Sequence, residues 1–333
     1  MTLTVAIAGF SACAAVIFFA GKKLSFYGDL LADKTGMGKA LLGLVLMSAV
    51  TSLPELMVGI SSVAIVQSAD LAVGDILGSC AFNLAILSVM DAFVPRRTAL
   101  LGNVSQHHII AAAFGLILIA LAGMGIFLDN DIVLTSFIGL NSVVFALIYF
   151  VALSVIFKYQ QQNKIIAAHS QASVSMPLKS IVLRYILFAV IIIAAALFLP
   201  QFADQLAEQS GLGKTFVGTL FLAASTSLPE LAVSIAAVRL GSVDMAVGNL
   251  LGSNIFNIFI LFLDDLFYQK GHLLKDAAES HLASVFAVLI MTGIVIVGIT
   301  FKAKGKRHWL AWDTLLILIV YILNLTILHH LSN

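Results

Sequence analysis

Thr51-Ser-Leu-Pro-Glu-Leu56 occurs a second time as Thr226-Ser-Leu-Pro-Glu-Leu231, each copy set within a long apolar run. Shifting the chain against itself by 175 residues widens the match: Leu42 to Leu56 and Val217 to Leu231 are identical at eight of fifteen positions. Upstream, Gly36-Met-Gly-Lys39 falls on Gly211-Leu-Gly-Lys214, and Gly43 on Gly218. Downstream, once one loop residue is dropped, Asp70 to Asn83 (DLAVGDILGSCAFN) matches Asp244 to Asn257 (DMAVGNLLGSNIFN) at nine of fourteen positions, and Asp91 meets Asp265. The chain reads as one unit written twice.

The unit is built for lipid. Of 333 residues, 61% are hydrophobic and 11% charged, and the mean hydropathy is +1.07, a balance that a water-soluble domain could carry only with a very large apolar surface. Apolar stretches near the length needed to cross a hydrocarbon core predict spans at 3–20, 40–66, 70–91, 107–127, 131–157, 181–199, 213–240, 243–267, 281–301 and 308–330. The first has no Lys or Arg before it and no convincing cleavage site after it, so it reads as a retained helix. Cys13 and Cys80 fall inside spans without paired spacing, which points away from a disulfide framework or a zinc site.

Charge placement predicts the topology. The loops after spans one, three, five, seven and nine hold fifteen of the 18 Lys and Arg residues, and the alternate loops hold Lys214, Lys270 and Lys275. By the positive-inside rule the odd-numbered loops are cytoplasmic and both termini lie outside. Five spans per unit is an odd number, so the second copy enters the membrane the other way up. The expected fold is an all-α integral membrane protein of ten transmembrane helices in two inverted five-helix repeats: residues 1–157, a polar cytoplasmic linker over 158–180, and residues 181–333. Repeats of this kind, interrupted by Gly, Pro and polar residues at matching places, point to a secondary transporter with its site at the repeat interface.

Glu55 and Glu230 lie mid-span, where an ionisable group costs several kcal/mol unless paired, and no basic residue is available in either span. A cation from solution is the natural partner. Ser48, Thr51, Ser52 and Glu55 share one helical face by their spacing of three and four, as do Ala223, Thr226, Ser227 and Glu230. Pro54 and Pro229 each remove the amide that would bond the carbonyl four residues back. Freed carbonyls around Val50–Thr51 and Ser225–Thr226, with the hydroxyls and two carboxylates, can supply the roughly 6–8 oxygens that calcium prefers. Sulfur and imidazole are missing from this set, against zinc or copper. The next span of each unit adds a polar stripe: Asp75, Ser79 and Asn83, then Asn249, Ser253 and Asn257. Gly74, Gly78, Gly248 and Gly252 beside them allow helices to approach closely. The competing reading is that Ser and Thr hydroxyls bond back to their own helices. Asp91 and Asp265, at span ends, read as solvated or capping groups, and His107-His108 and His329-His330 as interfacial.

With these motifs the sequence resembles the sodium/calcium exchangers of the calcium:cation antiporter superfamily, in particular compact prokaryotic members, over the whole chain. The resemblance implies a calcium site of Glu55 and Glu230 with the carbonyls of Thr51 and Thr226. It implies one sodium site of Ser52, Ser253, Glu230 and the carbonyl of Ser48, and a counterpart of Ser227, Ser79, Glu55 and the carbonyl of Ala223, with Asn83 and Asn257 lining the centre. Sodium/calcium members commonly carry Asp where this chain has Asn257, and Asp75 stands where the second half has Asn249.

The function expected is antiport of Ca2+ for Na+ by alternating access, the first and sixth spans sliding past the other eight, in a prokaryotic inner or plasma membrane. Ca2+ and Na+ are the transported ions. No organic cofactor, nucleotide, nucleic acid or enzymatic nucleophile is indicated, and the oligomeric state is not legible. A proton/calcium exchanger of the same architecture, suggested by Asn257 and Asp75, and a passive cation channel lined by the same oxygens stay open.

Overall fold

A computed structural model describes residues 2–35, 48–95, 98–128, 133–135, 138–162, 176–239, 241–302, 305–306 and 309–332. The repeat residues Gly36–Lys39 and Gly43, the first part of the second span (40–47) and most of the linker (163–175) lie outside the described residues.

The helices in chain order are α1 (Leu3–Thr35), α2 (Ser48–Thr51), α3 (Leu53–Ser61), α4 (Ala69–Phe93), α5 (His108–Phe127), α6 (Leu140–Gln162), α7 (Leu178–Ser210), α8 (Lys214–Val217), α9 (Ala223–Thr226), α10 (Leu228–Arg239), α11 (Val243–Phe267), α12 (His281–Phe301) and α13 (Trp312–Ser332). Wide π-type turns follow α3 at Ser62–Val66 and separate α8 from α9 at Gly218–Leu222. Among the described residues, eight helices are long and apolar enough to cross a membrane. A ninth span arises if α8–α9 and α10 are taken together across their 46° bend. The tenth expected span is seen only in its second part, α2, α3 and the turn after them.

Two expectations about local structure are revised. The fifth span does not begin at 131: Val133–Thr135 and Ile138–Gly139 pair as a short antiparallel hairpin, and the helix starts at Leu140. The first and sixth spans are much longer than their apolar stretches. α1 and α7 run 33 residues each, roughly 50 Å at 1.5 Å per residue, so each overshoots a hydrocarbon core of about 30 Å.

α1 and α7 lie antiparallel along their whole length. Phe10 and Ile17 pack with Ala196, Leu199 and Ala203 at one end, and Tyr27 and Leu30 with Ile181 at the other. There Tyr27 stacks on Phe188 and accepts a hydrogen bond from Arg184 at 3.0 Å. At the centre, α4 and α11 are the most enclosed of the long spans, with 78% of an 18-residue apolar stretch of each buried. The outer surface is apolar, with Phe19, Leu147, Leu183, Phe286 and Phe301 exposed, whereas many of the buried residues are polar. That inversion suits a lipid surround and a polar centre.

The glycines place the central helices. A Cβ built at Gly74 would stand 3.1 Å from the Cα of Gly218, and one at Gly78 would press into the backbone of Thr219 and the methyl of Ala223. α4 therefore lies directly against the π turn and α9. Gly21 of α1 does the same for the ring of Pro229, setting α1 beside the bend that precedes Glu230.

Candidate cation site

The two TSLPEL segments break their helices in the same way. Ser52 has φ −86°, ψ 13° and Ser227 has φ −87°, ψ 8°, the bridge region between helix and strand. The ladder of amides runs as far as Ser52 N on Ser48 O, at 2.9 Å, and resumes at Leu56 N on Ser52 O, at 3.1 Å. In the second copy, Ser227 N reaches Ala223 O at 3.1 Å and Leu231 N reaches Ser227 O at 3.2 Å. Pro54 and Pro229 have no amide to give to Val50 and Ser225. The carbonyls of Val50–Thr51 and Ser225–Thr226 fall in these gaps.

The broken helices meet crosswise. Ser52 Oγ donates to Glu230 Oε1 at 3.2 Å, and Ser227 Oγ donates to Glu55 Oε1 at 2.8 Å. Ser79 Oγ lies 3.3 Å from Thr226 Oγ1, and Ser253 Oγ 3.5 Å from Thr51 Oγ1. The α4 and α11 stripes thus face the TSLPEL segment of the other half. Thr226 Oγ1 also lies 3.1 Å from Asp75 Oδ1, and Thr51 Oγ1 lies 3.5 Å from Asn249 Oδ1. Each threonine has a carbonyl of its own helix in reach as well, Ser48 O at 3.3 Å and Ala223 O at 3.2 Å. The back-bonding reading therefore applies in part to Thr51 and Thr226, while Ser52, Ser79, Ser227 and Ser253 turn toward the opposite half.

Ser48, Thr51, Ser52, Glu55, Asp75, Ser79, Asn83, Ala223, Thr226, Ser227, Glu230, Ser253 and Asn257 are all buried. Within this polar centre, Glu55 Oε2, Glu230 Oε2, Asp75 Oδ2, Asn83 Oδ1 and both side-chain atoms of Asn257 have no hydrogen-bond partner. Unfilled polar capacity of this density in a buried space is costly. Among the described residues, neither glutamate pairs with a Lys, Arg or His. No three His, Cys, Asp or Glu side chains there converge on one point. The available ligands are two carboxylates surrounded by hydroxyl, amide and carbonyl oxygens, a set that favours hard cations.

Sequence reasoning missed Asn254. Its Nδ2 donates to Cys80 O at 3.2 Å while its Oδ1 accepts from Asn83 Nδ2 at 3.1 Å, binding α4 to α11. The pattern offered a signal, a third amide in GNLLGSNIFN, although the aligned position in the first half is Cys80 rather than an amide.

Asp91 and Asp265 are not solvated. Asp91 is fully buried and accepts from Leu100 N at 2.9 Å, Ala311 N at 2.7 Å and Thr314 Oγ1 at 2.9 Å, with Lys306 Nζ at 3.0 Å. Asp265 accepts from Leu273 N at 2.8 Å, Gly139 N at 3.4 Å and Ser142 Oγ at 2.5 Å. Each carboxylate ties the end of its own span to the start of a helix in the other half. His108 is likewise buried rather than interfacial, 3.2 Å from Asp244 Oδ1, whereas His330 is exposed. His281, at the head of α12, stands 3.1 Å from Asp70 Oδ1 in a corresponding pair.

The fold is shared with solved structures. A structure of the sodium-calcium exchanger NCX_Mj soaked with sodium and strontium superposes with a TM-score of 0.65, covering 98% of this chain and 99% of that one at 20% identity. By sequence, the chain is 35% identical over 147 residues to sodium/calcium exchanger MaX1 of Methanosarcina acetivorans. That match takes in 43% of this chain and only 39% of the relative. It is 27% identical over 289 residues to the putative antiporter CaxA of Alkalimonas amylolytica, covering 83% and 86% of the two chains. The family described as sodium/calcium exchanger protein matches twice, over residues 5–158 and 180–329. Two matching blocks that together span nearly the whole chain, each holding one broken helix and its glutamate, make this protein a member of the sodium/calcium exchanger family.

Proposed function

We propose that this chain exchanges Ca2+ for Na+ across a membrane by alternating access, with Glu55 and Glu230 carrying the ions. The observation that carries the reading is the crosswise pair of bonds, Ser52 to Glu230 and Ser227 to Glu55, which leaves one buried oxygen on each glutamate without a partner. Two carboxylates so enclosed cannot stay ionised and empty. Calcium would sit between them, held also by the carbonyls of Thr51 and Thr226. Sodium would take flanking positions, one at Ser52, Ser253, Glu230 and Ser48 O, the other at Ser227, Ser79, Glu55 and Ala223 O. Only a loaded centre is neutral enough to change its orientation, and that condition couples the two ions.

The reading treats residues 1–157 and 181–333 as inverted five-span repeats joined by 158–180, both termini facing out of the cytoplasm of a prokaryotic cell. α1 and α7, bound to each other along their length, are the pair that slides over the remaining spans. Family membership and the twofold pattern of contacts support this.

A second reading, proton/calcium exchange, draws support from Asn257 and from Asp75, an additional buried carboxylate with one unpaired oxygen. Calcium uptake into proteoliposomes with sodium, proton and potassium gradients imposed separately decides the coupling ion. Under the leading reading only the sodium gradient drives uptake, and Glu55→Gln or Glu230→Gln abolishes it. Flux without any exchanged ion would mark a channel instead.

A further inference from the structure

Asp264 takes no part in the crosswise centre. It lies on α11 two turns beyond Asn257, is completely buried, and neither carboxylate oxygen has a hydrogen-bond partner. Among the described residues it pairs with no Lys, Arg or His. Its carboxyl group rests on Gly59 of α3, where a built Cβ would collide with both oxygens and stand 2.8 Å from the carboxyl carbon. Gly59 is one turn along α3 from Glu55. Ser62, a turn further on that face, has a buried hydroxyl that also lacks a partner.

An ionised, empty Asp264 would be an uncompensated charge inside the bilayer. A protonated one would bury an O–H donor with no acceptor in place, itself costly. A bound cation answers both objections. One carboxylate balances a single positive charge and offers too few oxygens for calcium. We propose that Asp264, with the Ser62 hydroxyl, holds a sodium ion on the face of α3 beyond Glu55, a staging site between the paired glutamates and the end of that helix. The proposal rests on the reading of this chain as a cation transporter. The site occurs once: at the aligned positions the other half has Ser234 in place of Gly59 and Met90 in place of Asp264. It therefore serves only one of the two approaches to the centre, the outer one in the proposed topology.

Equilibrium binding of radioactive sodium and calcium to the purified full chain tests this with wild type, Asp264→Asn, Asp264→Met (the residue of the aligned position) and Glu55→Gln/Glu230→Gln. Wild type should bind one more sodium ion per chain at saturation than either Asp264 variant, whose calcium affinity should stay within about twofold of wild type. Sodium binding equal to wild type in Asp264→Asn or Asp264→Met overturns the proposal, as does loss of both ions in both variants, which would make Asp264 structural. Failure of the central reading shows separately, as calcium binding retained by Glu55→Gln/Glu230→Gln.

Discussion

Ser227 Oγ donates to Glu55 Oε1 at 2.8 Å, joining the bend of one broken helix to the carboxylate of the other. Bonds of a hydroxyl to a charged group contribute about 1.5–3 kcal/mol. Ser227→Ala should therefore weaken the apparent cation affinity about tenfold or more. Ser52→Ala, which removes the longer 3.2 Å bond to Glu230, should cost less. The sodium concentration dependence of sodium-driven calcium uptake in proteoliposomes reads both effects. Wild-type affinity in Ser227→Ala would contradict the assignment.

Pro54 keeps an amide away from the carbonyl of Val50. Pro54→Ala returns that donor and removes a helix breaker worth roughly 3 kcal/mol in a helix interior. Transport should fall while the melting temperature holds or rises. Unchanged uptake would mean that the freed carbonyls play no part.

Lys306 and Asp91 form an ion pair with both side chains fully buried. Asp91→Ala takes away the carboxylate closest to the ammonium and leaves it on the carbonyls of Asp91 and Val94, and breaking such a pair costs about 3–5 kcal/mol. Lys306→Met should restore most of that stability in the double variant. Asp265→Asn, which strands no charge, should cost less than Asp91→Ala. Thermal unfolding in detergent, analysed as a double-mutant cycle, measures the coupling, and additive losses would rule out the pair as the cause.

Protons compete with metal cations for the same carboxylate oxygens. Calcium uptake should accordingly decline as the pH is lowered from neutral, with the apparent calcium affinity falling before the maximal rate. A flat response across that range would argue against Glu55 and Glu230 as the ion carriers.

Lipid-spanning character, the duplication and the two interrupted helices were legible in the linear order, because each depends on neighbours along one helix: apolar run length, a recurring hexapeptide, a proline beside a glutamate. The same local logic left Asp91 and Asp265 open between solvated and capping roles, of which the solvated one fails, and it misplaced His108. At the end of an apolar run such residues look wet, and only the docking of the two halves encloses them with amides, hydroxyls and carboxylates from distant spans. The pairing of Ser52 with Glu230 and of Ser227 with Glu55, the amide bridge of Asn254, and the seat of Asp264 on Gly59 are likewise contacts across more than a hundred residues of chain. Periodicity says which face of a helix is polar, but it carries no record of which other face will be pressed against it. That choice is made by the close approach of backbones at Gly74 and Gly78 and of the Pro229 ring at Gly21, and it came into view only with the folded molecule.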